Sequence, residues 1–172
     1  MTRADMLPVL PSGEMLAALL AGRPVLAHRH PQIVDAVQEL TRLHRAHRAA
    51  LADLGLEGLT ETALRQAATA VVTAAADIEA TVAVIDAVVA ARLHADHPDT
   101  VPTPFVAPHC PVHTETVGAI LSRAALLAGE IHDHGGGREH LPAVAALDSL
   151  LAGYAHLRGE LMAGRLRVPA TS

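Results

Sequence analysis

"ETALRQAATAVVTAAADIEATVAVIDAVVAARLHA", residues 61–95, decides the fold. No Gly or Pro interrupts the chain between Glu61 and Pro98, so nothing in it stops a helix once begun. At 1.5 Å per residue such a helix is roughly 50 Å long. Leu64, Ala68, Val71, Ala75, Ile78, Val82, Ile85 and Val89 recur at alternating steps of four and three, the spacing of one helical seam. Thr60 is placed to cap it, and Leu59 and Leu64 sit at the spacing of a hydrophobic staple. This helix is expected to be the spine of the fold.

Working outward, helix punctuation divides the rest of the chain. Ser12 can cap a short first helix that ends at "AGRP" with Gly22 and Pro24. Pro31 suits the first position of a second helix, which runs to Leu54 and stops at Gly55, with Leu56 placed for a Schellman contact. A fourth helix is expected from near Thr114 to "HDHGGG", and a fifth from about Pro142 to Gly164 with a seam of Leu147, Leu150, Tyr154, Leu157 and Leu161. No run alternates as a strand does. The fold class is therefore all-α, an antiparallel bundle of four main helices plus a short N-terminal helix. At 172 residues the chain is read as one domain, with a short segment 1–11, a Pro-rich loop 98–112 and a flexible tail 166–172.

Composition narrows the function classes. All thirteen basic residues are arginine, and Lys, Asn and Trp are absent, which matches GC-rich coding more than any activity. A formal charge of −5 argues against a nucleic-acid surface. The twelve histidines make that charge pH-dependent, since protonating all of them would turn −5 into +7. The most apolar window, Ala67 to Ala91, carries Asp77, Glu79 and Asp86, and three carboxylates at membrane depth are expensive. No membrane span and a cytoplasmic location are therefore expected. One cysteine excludes an internal disulfide. Because the third helix has few charges on any face, partners on several sides are expected, and a second copy of the chain would make a homodimer. Phe105 and Tyr154 are the only aromatics, so helix axes should approach closely, with Gly118, Gly129, Gly153 and Gly159 compensated by backbone contact.

Four constellations have chemical potential. His44 and His47 interrupt the apolar seam of helix two, where they are either a pair of metal ligands or histidines hydrogen-bonded in or beside the core. Arg123, alone among charges between Thr116 and Gly129, is expected to form a buried ion pair with Asp86 or Glu79, or else to line an anion pocket. Arg42, Arg45 and Arg48 drift around helix two and read as a solvated face or a phosphate stripe. The loop "APHCPVHTETVGA", residues 107–119, brings His109, Cys110, His113 and Glu115 within seven residues. It is either a metal site, in which case His113 should turn inward, or a stiff loop with Thr114 capping the next helix. No cofactor is expected, with Zn or Fe the metal to test at His44, His47, His113 and Glu115.

"LTRLHRAHRAALAD", "VAVIDAVV", "HTETVGAILSRAALLAGEIHD" and "LRGELMAGRLRVP" together resemble the bacterial helical family called domain of unknown function 4254. Thr114, Glu115, Thr116, Gly118 and Arg123 match its box at helix four, while Val117 and Ser122 stand where the family has proline and aspartate. The resemblance implies a helical fold and no particular reaction. The reading that follows is a non-catalytic interaction or structural module acting as a homodimer. Its rival is a metal- or anion-binding enzyme that uses the core His, Arg and Glu residues.

Overall fold

A computed structural model describes residues 10–25, 31–96, 111–133 and 142–168. Five helices follow in order: α1 (Gly13–Leu20), α2 (Pro31–Leu54), α3 (Glu61–Asp96), α4 (Val117–Asp133) and α5 (Pro142–Met162). They form a helical bundle, as the periodicity requires. The segments 97–110 and 134–141, which include His109, Cys110 and the "GGG" stretch, lie outside the described residues.

Several stops and starts are those expected. Ser12 Oγ accepts the Met15 N–H, and Thr60 Oγ1 accepts that of Ala63. Gly22 ends α1 at φ +69°, with the Arg23 N–H on the Ala18 carbonyl; Gly164 ends α5 in the same way at φ +68°. Two caps differ. Gly55 does not take the left-handed conformation; α2 tightens through Gly55 to Ala52 and Leu56 to Asp53 bonds, and the left-handed residue is Gly58. Leu56 is accordingly 60% exposed rather than folded onto the helix. At α4 the cap is Thr116, not Thr114: its Oγ1 accepts the Ala119 N–H and its carbonyl the Ile120 N–H.

The larger correction concerns the spine. α3 is the longest helix, at 36 residues, but α4 is the central one, packing against α1, α2, α3 and α5. α4 buries Val117, Gly118, Ile120, Leu121, Ala124, Ala125, Ala128 and Gly129, a stripe broad enough for neighbours on several sides. α3 touches the core with Ile85 and Val89, while its N-terminal half turns Ala67 and Ala74 inward against α2 and leaves Leu64 and Ala68 exposed. Length made α3 look central, but burial follows the width of the apolar face. By length and composition α3 is also apolar enough to cross a membrane, and only 11% of its most apolar window is buried.

The core joins Leu10, Leu16, Ile33, Val37, Leu40, Ile85, Val89, Val117, Leu121, Tyr154 and Leu161. Tyr154, buried, donates its hydroxyl to the Pro11 carbonyl at 2.9 Å, and the neighbouring Arg158 Nε–H reaches the Leu10 carbonyl. Burial pushes the Tyr154 phenol well above its ordinary pKa, so it stays a donor. The segment before α1 is thereby tied to α5. Residues 166–168, read from sequence as the start of a flexible tail, pair with the chain entering α4: the His113 N–H meets the Arg167 carbonyl, and the Arg167 N–H meets that of Pro111. Leu166 and Val168 pack on the core at that point.

Candidate functional site

The polar residues with most to explain lie where α2, α3 and α4 meet. His44 faces α4 from the buried side of α2 and is 8% exposed. Its Nε2 lies 2.9 Å from Ser122 Oγ, a bond whose direction follows the ring's tautomer. Burial lowers the His44 pKa, the charges of His47 and Arg48 lower it further, and the Ser122 contact opposes them. At neutral pH the ring is uncharged, which is the state a core contact tolerates.

One turn along α2, the Arg48 guanidinium lies across α4. A Cβ on Gly129 would stand 2.5 Å from Arg48 Nη2, so this glycine makes room for the cation. Asp133 Oδ2 is 2.8 Å from the same nitrogen, close enough for an ion pair. The carboxylate is nevertheless off the N–H axis, and Arg48 Nε and Nη2 are buried without a well-formed hydrogen bond among the described residues. The cation also lies near the negative end of α4, a favourable placement. Arg42 pairs with Glu39 in solvent and Arg45 is exposed, so the three arginines do not form one stripe.

Arg123 corrects the expected ion pair. It points outward and binds Glu115, both side chains being about half exposed. Asp86 needs no cation: buried at 8% exposure, its Oδ1 accepts the Gly118 N–H at 2.7 Å in the first turn of α4. A carboxylate at a helix N-terminus meets free N–H groups and the positive end of the dipole together. Gly118 permits this approach, since a Cβ there would lie 2.6 Å from the Val82 carbonyl and 3.0 Å from Asp86 Oδ1. Glu79 is exposed on α3. The expected backbone contact is met at Gly118, against the Val82 carbonyl; Gly129 is met only by the Arg48 side chain, and Gly153 and Gly159 face open space.

The metal candidates are placed apart in their bonding. His113 is half-buried and folds onto its own loop, with Nδ1 3.2 Å from the Glu115 N–H and 2.9 Å from the Glu115 carbonyl; the tautomer selects one of them. Glu115 is engaged with Arg123, and His44 with Ser122. Among the described residues no three His, Cys, Asp or Glu side chains come together as a metal site. His132 lies in the last turn of α4, where a basic residue suits the negative terminus.

Two cavities flank this region. One, of about 550 Å³, runs between α2 and α3 past Arg42, Arg65, Thr69 and Asp77. The other, about 810 Å³, opens where α1 ends beside α2, α4 and α5; Arg23, Arg45, His132 and Asp148 surround an apolar floor that includes Leu19 and Leu147. Neither is lined by His44 or Ser122. Among the described residues, Ser122 and the His44 imidazole form a hydrogen bond that links α4 to α2. Ser122 and Asp133 had no sequence signal as partners. Asp86 did: a carboxylate in an apolar run needs donors, and a helix N-terminus offers them without a cation. Comparison with protein-family models, with characterised proteins and with solved structures finds no match.

Proposed function

We propose that the chain is a non-catalytic helical interaction module that acts as a homodimer, in the cytoplasm and without nucleic acid. The observation that carries this reading is the state of α3. Its 36 residues reach about 54 Å, yet Leu64, Val72 and Val84 stand about half exposed or more along it. The three lie at different angles around the helix, so a partner laid along α3 would cover part of this exposed apolar surface rather than all of it. The buried polar side chains His44 and Asp86 support the same reading, because both are occupied in joining helices, His44 to Ser122 and Asp86 to Gly118.

Light scattering coupled to size exclusion, at about 10 to 200 µM protein, tests it against the affinity range expected of a modest interface. A mass rising toward twice 17.9 kDa is expected; 17.9 kDa at every concentration would overturn the homodimer. The rival, a metal- or anion-binding enzyme, finds Arg123 and Glu115 neutralising one another in solvent. Stoichiometric Zn or Fe in untagged protein, lost on His44→Ala, would restore it.

A further inference from the structure

Arg65, Val72 and Glu79 follow one another at intervals of seven, so they share a face of α3 within about 40° and span about 21 Å. All three are exposed, and Val72, at 69%, is the most exposed of the large apolar side chains among the described residues. The three carboxylates of α3's apolar stretch are not equivalent. Asp86 is buried on Gly118, and Asp77 lines the α2 groove within electrostatic reach of Arg42. Glu79 has no ion-pair or hydrogen-bond partner among the described residues, and Arg65 has only Glu61 one turn away on its own helix.

Resting on the self-association reading, we propose that the second copy docks antiparallel on this face with the twofold axis at Val72. A twofold contact requires that if residue i meets residue j, j also meets i. With seven residues on either side of Val72, antiparallel pairing sets Arg65 of each copy against Glu79 of the other, and Val72 against itself. The charges are complementary in this register, whereas a parallel, in-register pair would set like against like. Exposed Ala68 and Ala76 flank the valine and let the axes approach closely. Helix overlap from Glu61 to Ala83 gives about 35 Å by about 10 Å, or roughly 350 Å² per copy. That is below the roughly 800 Å² of a standard interface, so the dimer is reversible and weakens with salt. A bilayer is the poorer occupant, because inserting α3 would carry Asp77, Glu79 and the adjoining Arg42 of α2 into hydrocarbon.

Sedimentation equilibrium on the full chain tests the register. Val72→Glu should raise the dissociation constant at least about tenfold while the melting temperature of the monomer, followed by circular dichroism, stays within about 3 °C. Arg65→Glu and Glu79→Arg should each weaken the dimer about three- to tenfold, and the two together should return it to within about twofold of the parent. Val72→Cys in a Cys110→Ser background should form an intermolecular disulfide under mild oxidation. A dimer indifferent to Val72→Glu, not rescued by the charge swap, or refusing the Val72→Cys link, overturns this face and leaves self-association standing. Monomer at every concentration overturns both. Cosedimentation with phosphatidylcholine and phosphatidylglycerol vesicles, abolished by Val72→Glu, would assign the face to a bilayer instead.

Discussion

Adding one methyl group at Gly118 tests the central contact of the bundle. The new Cβ would lie 2.6 Å from the Val82 carbonyl oxygen and 3.0 Å from Asp86 Oδ1, against 3.4 Å or more for ordinary contact. The first obstacle is helix backbone, so α3 and α4 must part by roughly half an ångström or more, a gap that forfeits a quarter or more of each affected dispersion contact. Overpacking of this kind costs about 1–3 kcal/mol. The Asp86 to Gly118 bond, buried and charge-assisted, contributes about 1.5–3 kcal/mol and is stretched or lost. Against these stands up to about 1 kcal/mol of helix propensity gained on replacing glycine. The net expectation for Gly118→Ala is a loss of about 2–4 kcal/mol. For a chain of this size that is roughly 4 to 16 °C in Tm. Urea unfolding followed by helical circular dichroism, at one fixed protein concentration, measures it as a lower midpoint at unchanged slope. Gly153→Ala is the control: nothing lies within 4 Å of its Cβ position, so the same change there should stabilise by about 0.5–1 kcal/mol. If Gly118→Ala also stabilises, the close approach of α3 to α4 is wrong.

His44 makes stability depend on pH with a definite sign. Its folded pKa lies below the value near 6.5 of the unfolded chain, so between the two the unfolded state binds more protons, and stability present above about pH 6.5 is lost as pH falls toward the folded value. The difference between parent and His44→Gln in urea midpoints from pH 8 to 5 isolates this contribution; a constant difference would remove His44 as its source. Tyr154→Phe should cost about 1–2 kcal/mol in the same assay, since it strands the buried Pro11 carbonyl without its donor. Arg123→Met should change stability by less than about 1 kcal/mol because its bond to Glu115 is solvent-exposed, whereas a loss above 3 kcal/mol would return Arg123 to a buried pair.

How much of the site was legible depends on the range of the interaction. Ser12 and Thr60 cap their helices as read, because a cap bonds N–H groups two or three residues away. Thr114 and Thr116 both precede the same apolar seam, and only the bridge between Val112 and Arg167, with His113 folded onto Glu115, sets where α4 begins. Arg123 illustrates the opposite failure. A single charge in an apolar helix reads as buried, yet its long side chain reaches solvent and Glu115, eight residues back.

From the sequence alone came the helical class, the positions of α2, α3 and α5 to within a few residues, and the inward residues of α5, all functions of local spacing and of where Gly and Pro fall. Tertiary structure decided that α4 rather than the longer α3 is the centre, that Asp86 caps α4 in place of pairing with Arg123, and that Ser122 meets His44. Those outcomes depend on residues 32 and 78 positions apart, and on a glycine whose missing Cβ lets two helices touch. Periodicity shows which face of a helix is apolar, but which neighbour covers that face is settled only when all the helices compete for the same core.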